Sequence, residues 1–79
     1  MSRAKAVVEA IARALADRPE SVSVTEREAR GQTFVELTMA PGDMGRVIGR
    51  QGRTAMAVRT LATLAAEMDG EKVSVDFRD

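Results

Sequence analysis

The order of hydrophobic periodicities along the 79 residues predicts an α+β fold: a two-layer sandwich with a three-stranded mixed sheet and three helices on one face. Three observations carry this expectation. Apolar residues recur at helical spacing before residue 17 and again after residue 52, and they alternate singly in two runs between these stretches and in one run beyond them. The second and third alternating runs are separated by a helical crossover, which makes them parallel neighbours with a right-handed connection.

The first helix spans Ser2 to Ala16, where Ala4, Val7, Val8, Ile11, Ala12 and Leu15 fall three and four apart among Arg3, Lys5, Glu9 and Arg13. Ser2 suits its N-cap, and Asp17-Arg18-Pro19 stops it, because proline drives its predecessor out of the α region. The period then changes to two. Val22 and Val24 alternate with Ser21, Ser23 and Thr25; after Arg30-Gly31, Val35, Leu37 and Met39 alternate with Phe34, Glu36 and Thr38. This is a hairpin turning at Gly31. Pro41-Gly42 ends the second strand, and Asp43 occupies the N-cap position of a helix of little more than one turn through Met44, Arg46, Val47 and Ile48. Gly49-Arg50-Gln51-Gly52 interrupts it, and a longer helix follows with Met56, Val58, Leu61, Ala62, Leu64, Ala65 and Met68 apolar, closing at Asp69-Gly70. Val73, Val75 and Phe77 form the last strand. The stripe Leu61, Leu64, Ala65 and Met68 reads first as core and second as a dimer surface.

Residues 1–79 read as one domain, without repeat, low-complexity run or linker, with an acidic end at Asp76 and Asp79. The chain has no Cys and no His, which excludes a disulfide, a thiol nucleophile, an imidazole base and a nitrogen or sulfur metal site. Asp43, Glu36 and Asp76 stand singly along the chain, so no pair of carboxylates suggests acid–base chemistry, and catalysis is not expected. No metal, cofactor or small-molecule substrate is implied. The charged residues within MSRAKAVVEAIARALADR leave neither a signal peptide nor a membrane span, and the cytoplasm is the expected location.

The net charge is zero, with 12 basic and 12 acidic side chains, but the charges are segregated. Between Met44 and Ala66 lie Arg46, Arg50, Arg53 and Arg59 with no acidic residue, whereas the rest of the chain carries eight basic and twelve acidic ones. Such segregation suits local attraction of a polyanion without a sticky surface elsewhere. The two loop glycines have separate tasks. Gly49 lets the chain leave a helix through a left-handed conformation, and Gly52 lets backbone approach a ligand ahead of a helix N-terminus, whose N–H groups and dipole attract phosphate. Val47, Ile48 and the small Ala55 offer an apolar floor for unstacked bases; with only Phe34 and Phe77 aromatic, an aromatic RNA platform is not expected. A P-loop fails, because Val47 stands five residues before Gly52 and Arg53-Thr54 replaces Lys-Thr. A dinucleotide fingerprint fails on the spacing of Gly45, Gly49 and Gly52. Two glycines between helices, or four arginines on a helix face, are by themselves often only a turn and a solvated surface. Their coincidence within one crossover is what points to nucleic acid.

The segment PGDMGRVIGRQGRTAMAVRTL, with its V-I-G-x-x-G core and R-T-A-x-A-x-R-T-L continuation, resembles the KH domain of the small stand-alone bacterial RNA-binding proteins of the KhpA family. The preceding helix and hairpin and the final strand match the type II KH order α-β-β-α-α-β. This resemblance implies binding of short single-stranded RNA, about four nucleotides long, as an RNA chaperone or post-transcriptional regulator. Carried over by position, Gly49, Arg50, Gln51 and Gly52 would hold the sugar-phosphate backbone, with Val47 and Ile48 helping to line the groove; the charge pattern adds Arg46 and Arg53, beside Arg50, as phosphate-neutralising residues. It further implies a homodimer or pairing with a larger KH-domain protein. The alternative function is that of such a partner's interaction subunit, in the control of cell elongation or division.

Overall fold

A computed structural model describes residues 2–78. Asp79, part of the expected acidic end, lies outside the described residues. The elements are α1 (Arg3–Leu15), a 3-10 turn (Pro19–Ser21), β1 (Ser23–Ala29), β2 (Gln32–Thr38), α2 (Met44–Ile48), a second 3-10 turn (Arg50–Gly52), α3 (Arg53–Met68) and β3 (Lys72–Arg78). The expected order is present, and a turn that Pro19 starts after α1 has ended is added to it.

The sheet runs β1-β2-β3, with β1 antiparallel to β2 and β2 parallel to β3. Arg30 (φ 54°) and Gly31 (φ 77°) form the two-residue hairpin connection. Positive φ at both central residues matches the right-handed twist of the strands that they join. Pairing of Val24 with Leu37 and of Val35 with Val75 puts one apolar row across the helix-covered face. Thr33, Val35 and Leu37 of β2 are all buried, as befits the central strand.

The helices meet that face with small residues. α1 buries Ala4, Val8 and Ala12, and α3 buries Ala55, Val58, Ala62, Ala65 and Ala66. These faces share one core with Val24, Val35, Leu37, Met44 and Val47. The reading of the α3 stripe as core is therefore corrected. Ala65 is buried, but Leu61 is 48% exposed, Leu64 54% and Met68 72%. The reason is geometric: the alanine row of α3 faces the core, and the larger side chains lie on the remaining surface of the same helix.

Hydrogen bonds at the element ends follow the expected caps with one exception. The Ser2 hydroxyl accepts from the Lys5 N–H at 3.1 Å, starting α1. At the end of α3, Glu71 N donates to Ala66 O at 3.0 Å and Gly70 N to Glu67 O at 3.0 Å, with Gly70 at φ 71°. This is a Schellman closure. Asp43 is the exception. It precedes α2 but makes no capping bond; buried to 5% exposure, its carboxylate accepts from the Arg18 backbone N–H at 3.0 Å, tying the turn after α1 to the start of the crossover.

Two further carboxylates fix the start of α1. Glu26 of β1 accepts from Ser2 N at 3.1 Å, and Asp69 accepts from Arg3 N at 3.1 Å and from the Arg3 guanidinium. Hydrogen bonding from the Ser2 side chain holds the Glu26 carboxyl below its ordinary value of 4.5, outweighing the opposing effect of burial. The Arg3 backbone N–H does the same for Asp69, whose ordinary value is 3.8.

Two tests follow from this packing. Leu37→Ala empties a fully buried site and costs about 2–5 kcal/mol in urea unfolding, whereas Leu61→Ala stays within about 0.5 kcal/mol; equal losses would contradict the assignment of faces. In acid, lowered carboxyl pKa values mean that the unfolded chain binds more protons than the folded one. The stability from Glu26 and Asp69 is then fully present above their ordinary values and disappears as pH falls through the lower folded ones. The urea midpoint should decline below roughly pH 5, and Glu26→Gln should flatten that decline; a variant with the wild-type acid slope would show that Glu26 does not contribute.

Candidate nucleic-acid interface

The crossover from β2 to β3 turns a corner at the glycine loop. α2 ends as Gly49 N donates to Gly45 O at 2.8 Å, and Gly52 N donates to Gly49 O at 3.2 Å, closing the loop on itself. Gly49 has φ 74° and ψ 174°, a combination that essentially only glycine adopts. A Cβ there would lie 2.9 Å from Cβ of Thr54. The expected left-handed exit from the helix is thus not at Gly49. Gly52 (φ 72°, ψ 14°) holds the left-handed conformation, together with Gln51 (φ 58°, ψ 23°). Gly52 faces open space.

Directly after Gly52, α3 begins without a side-chain cap and without an acidic residue in its first turn. The positive end of a 16-residue helix is left uncompensated at the surface. Beside it, Arg50 and Arg53 are exposed and form no ion pair among the described residues; Arg53 instead donates to Oε1 of Gln51 at 3.3 Å.

A groove of about 400 Å³ extends from the loop along α3 to the free edge of β3. Ile48, Gln51, Gly52 and Ala55 line its loop end, and Met56, Arg59, Asp76 and Phe77 line the remainder. The structure brings together Ile48, Gln51 and Gly52 in the groove wall, with Gly49, Arg50 and Arg53 around the adjoining turn. Two expected residues stand apart. Val47 is 1% exposed and belongs to the core, so it supports the loop from beneath rather than lining the groove. Arg46 lies outside the groove lining and pairs with Asp17 at 2.8 Å.

Met56, Arg59 and Phe77 escaped the sequence reading as site residues. Met56 and Arg59 follow Gly52 by four and seven positions, a spacing that marks one helix face once the helix start is known. Phe77 reaches the groove only because β3 is an edge strand beside α3. The Arg59 guanidinium carbon lies 4.7 Å from the centre of the Phe77 ring, and its Nε donates to the Val75 carbonyl at 3.4 Å.

The chain is similar to known proteins over nearly its whole length. A family profile described as "KhpA/KhpB, KH domain" matches residues 5–77. The chain is 46% identical to the RNA-binding protein KhpA of Clostridium perfringens, covering 92% of this chain and 97% of that one. It is 46% identical to that of Caldanaerobacter subterraneus (90% and 95% covered) and 40% identical to that of Aquifex aeolicus (98% of each). Among solved structures, a variant of Aquifex aeolicus Era bound to GDP and aluminium fluoride matches with a TM-score of 0.64 at 19% identity, over 94% of this chain and 29% of that one. That last likeness is one of fold. With its mixed sheet, its helix order and its glycine loop in the β2–β3 crossover, the chain belongs to the KhpA/KhpB family of KH domains.

Proposed function

We propose that this domain binds short single-stranded RNA without catalysing a reaction, and that it acts in the cytoplasm as an RNA chaperone or post-transcriptional regulator. The observation that carries the reading is the uncompensated N-terminus of α3, flanked by Arg50 and Arg53, which form no ion pair among the described residues, and opening onto a groove with an apolar floor. Its relatives' designation as RNA-binding proteins supports it. Phosphate is held by the loop backbone and the arginines, and bases lie along Ile48, Ala55 and Met56. Arg46 adds charge at the rim only by exchanging its Asp17 partner for a phosphate. This is an inexpensive exchange, since an exposed pair contributes about 0–1 kcal/mol.

The exposed face of α3 favours a second reading beside the first. Leu61, Leu64 and Met68 form an exposed apolar flank, with Arg53 towards one end of the helix and Glu67 at the other. An antiparallel pairing of two copies about a two-fold axis sets opposite charges against each other and covers the stripe on both. A second copy of this chain is the occupant that this self-complementarity fits; a larger KH-domain protein is the competing one, and RNA binding does not depend on it.

Replacing both Arg50 and Gln51 by Asp should weaken binding to a mixed pool of short RNAs on the order of a hundredfold, from about 3 kcal/mol of lost charge-assisted hydrogen bonds, with an unchanged melting curve. Wild-type affinity should fall with salt at a log–log slope of about −2 to −3 for three to four phosphate contacts. Undiminished affinity in the double variant would place the site elsewhere. For the second reading, sedimentation of the wild type should give a dimer and Leu64→Glu a folded monomer; a monomeric wild type at roughly 100 μM would refute self-association.

A further inference from the structure

Arg59 stands out from the other arginines of the crossover. It follows Gly52 by seven residues, about 10 Å along the helix, too far to share the phosphate held at the helix N-terminus. It lines the part of the groove beside Met56, Asp76 and Phe77, at the β3 end. Two contacts fix its orientation: the guanidinium is stacked at 4.7 Å on the Phe77 ring, and Nε is engaged by the Val75 carbonyl. No carboxylate pairs with it among the described residues. A planar fork with one donor already committed to a carbonyl and one face on an aromatic ring has its two terminal nitrogens left as parallel donors.

Resting on the RNA-binding reading above, we infer that Arg59 is a base-reading residue, selecting at the β3 end of the groove a base that presents two neighbouring acceptors. Guanine meets this requirement through O6 and N7, and cytosine through O2 and N3. Adenine places its amino donor beside N7 and N1, and uracil places its N3–H between its two carbonyls, so each confronts the fork with a donor. The domain therefore prefers guanine or cytosine over adenine and uracil at one position, with phosphate binding at the loop supplying most of the affinity without discrimination. Phe77 is a positioning residue: its ring holds the fork flat against the groove wall.

The test is fluorescence anisotropy on uridine hexamers that are all-U or carry one central G, C or A. For the wild type, the G or the C hexamer should bind about tenfold more tightly than the A and all-U hexamers, and which of the two wins identifies the edge that is read. Arg59→Lys keeps the charge and loses the fork; it should bind all four alike, with the salt slope unchanged. Phe77→Leu should reduce the preference without abolishing binding. A wild type that binds all four equally, or an Arg59→Lys variant that keeps the preference, would overturn the assignment. So would an Arg59→Gln variant that weakens all four equally and lowers the salt slope by about one, the signature of a phosphate contact. A wild type that binds none of the four would instead remove the RNA-binding reading on which the inference rests.

Discussion

Parallel pairing of β2 and β3 is the constraint from which the remaining geometry follows. Two parallel strands have no tight turn available, so the chain must cross a whole face of the sheet to bring Val75 beside Val35. In 33 residues between Thr38 and Lys72 it does so with one short and one long helix. Because α2 has only five residues, the corner between the helices falls at the loop Gly49 to Gly52, at the surface, with the longer helix starting from it. The glycine loop, the exposed helix N-terminus and the edge of β3 all belong to one connection. They come together for topological reasons, before any ligand is considered.

That connection leaves room beside α3, on the same face of the sheet, for the N-terminal helix. α1 lies on α3 through a surface of alanine and valine, with Ala4, Val8 and Ala12 set against the alanine row of α3. Small residues permit close helix approach, and in a chain of this size little apolar volume is spared to fill gaps. The same economy leaves Leu61, Leu64 and Met68 on the outside. The fold thus separates two surfaces of one helix: an N-terminal end and groove wall of arginines and backbone amides, and an apolar flank.

Electrostatics are divided in the same manner. The carboxylates with strong local roles, Asp43, Glu26 and Asp69, tie α1 and its following turn to the remainder of the fold. None of the three lines the groove. Arg3 and Arg46 are paired, and Arg78 is paired with Glu36 and Asp76 on the open face of the sheet, whereas Arg50, Arg53 and Arg59 have no such partner among the described residues. A neutral chain can therefore present a locally positive site, because its acidic residues all lie outside the segment from Met44 to Ala66 that carries Arg46, Arg50, Arg53 and Arg59.

The sequence by itself determined the element order, the hairpin at Arg30-Gly31, the cap at Ser2, the closure at Gly70 and the position of the glycine loop. Each of these is set by residues a few positions apart: a change of period, a glycine where φ must be positive, a hydroxyl three residues before an unsatisfied N–H. Only the tertiary structure decided that Val47 is core while Ile48 is wall, that Arg46 pairs with Asp17 while Arg59 engages the Val75 carbonyl, and that Asp43 serves the Arg18 backbone instead of its own helix. It also decided that the leucines of α3 face outward and that Phe77 stacks on Arg59 at the groove. All of these depend on which element lies across from a given side chain, between 16 and 29 positions away for the Arg59–Val75, Asp43–Arg18 and Arg46–Asp17 contacts. Hydrophobicity names the residues that can be buried; the facing surface selects which of them are.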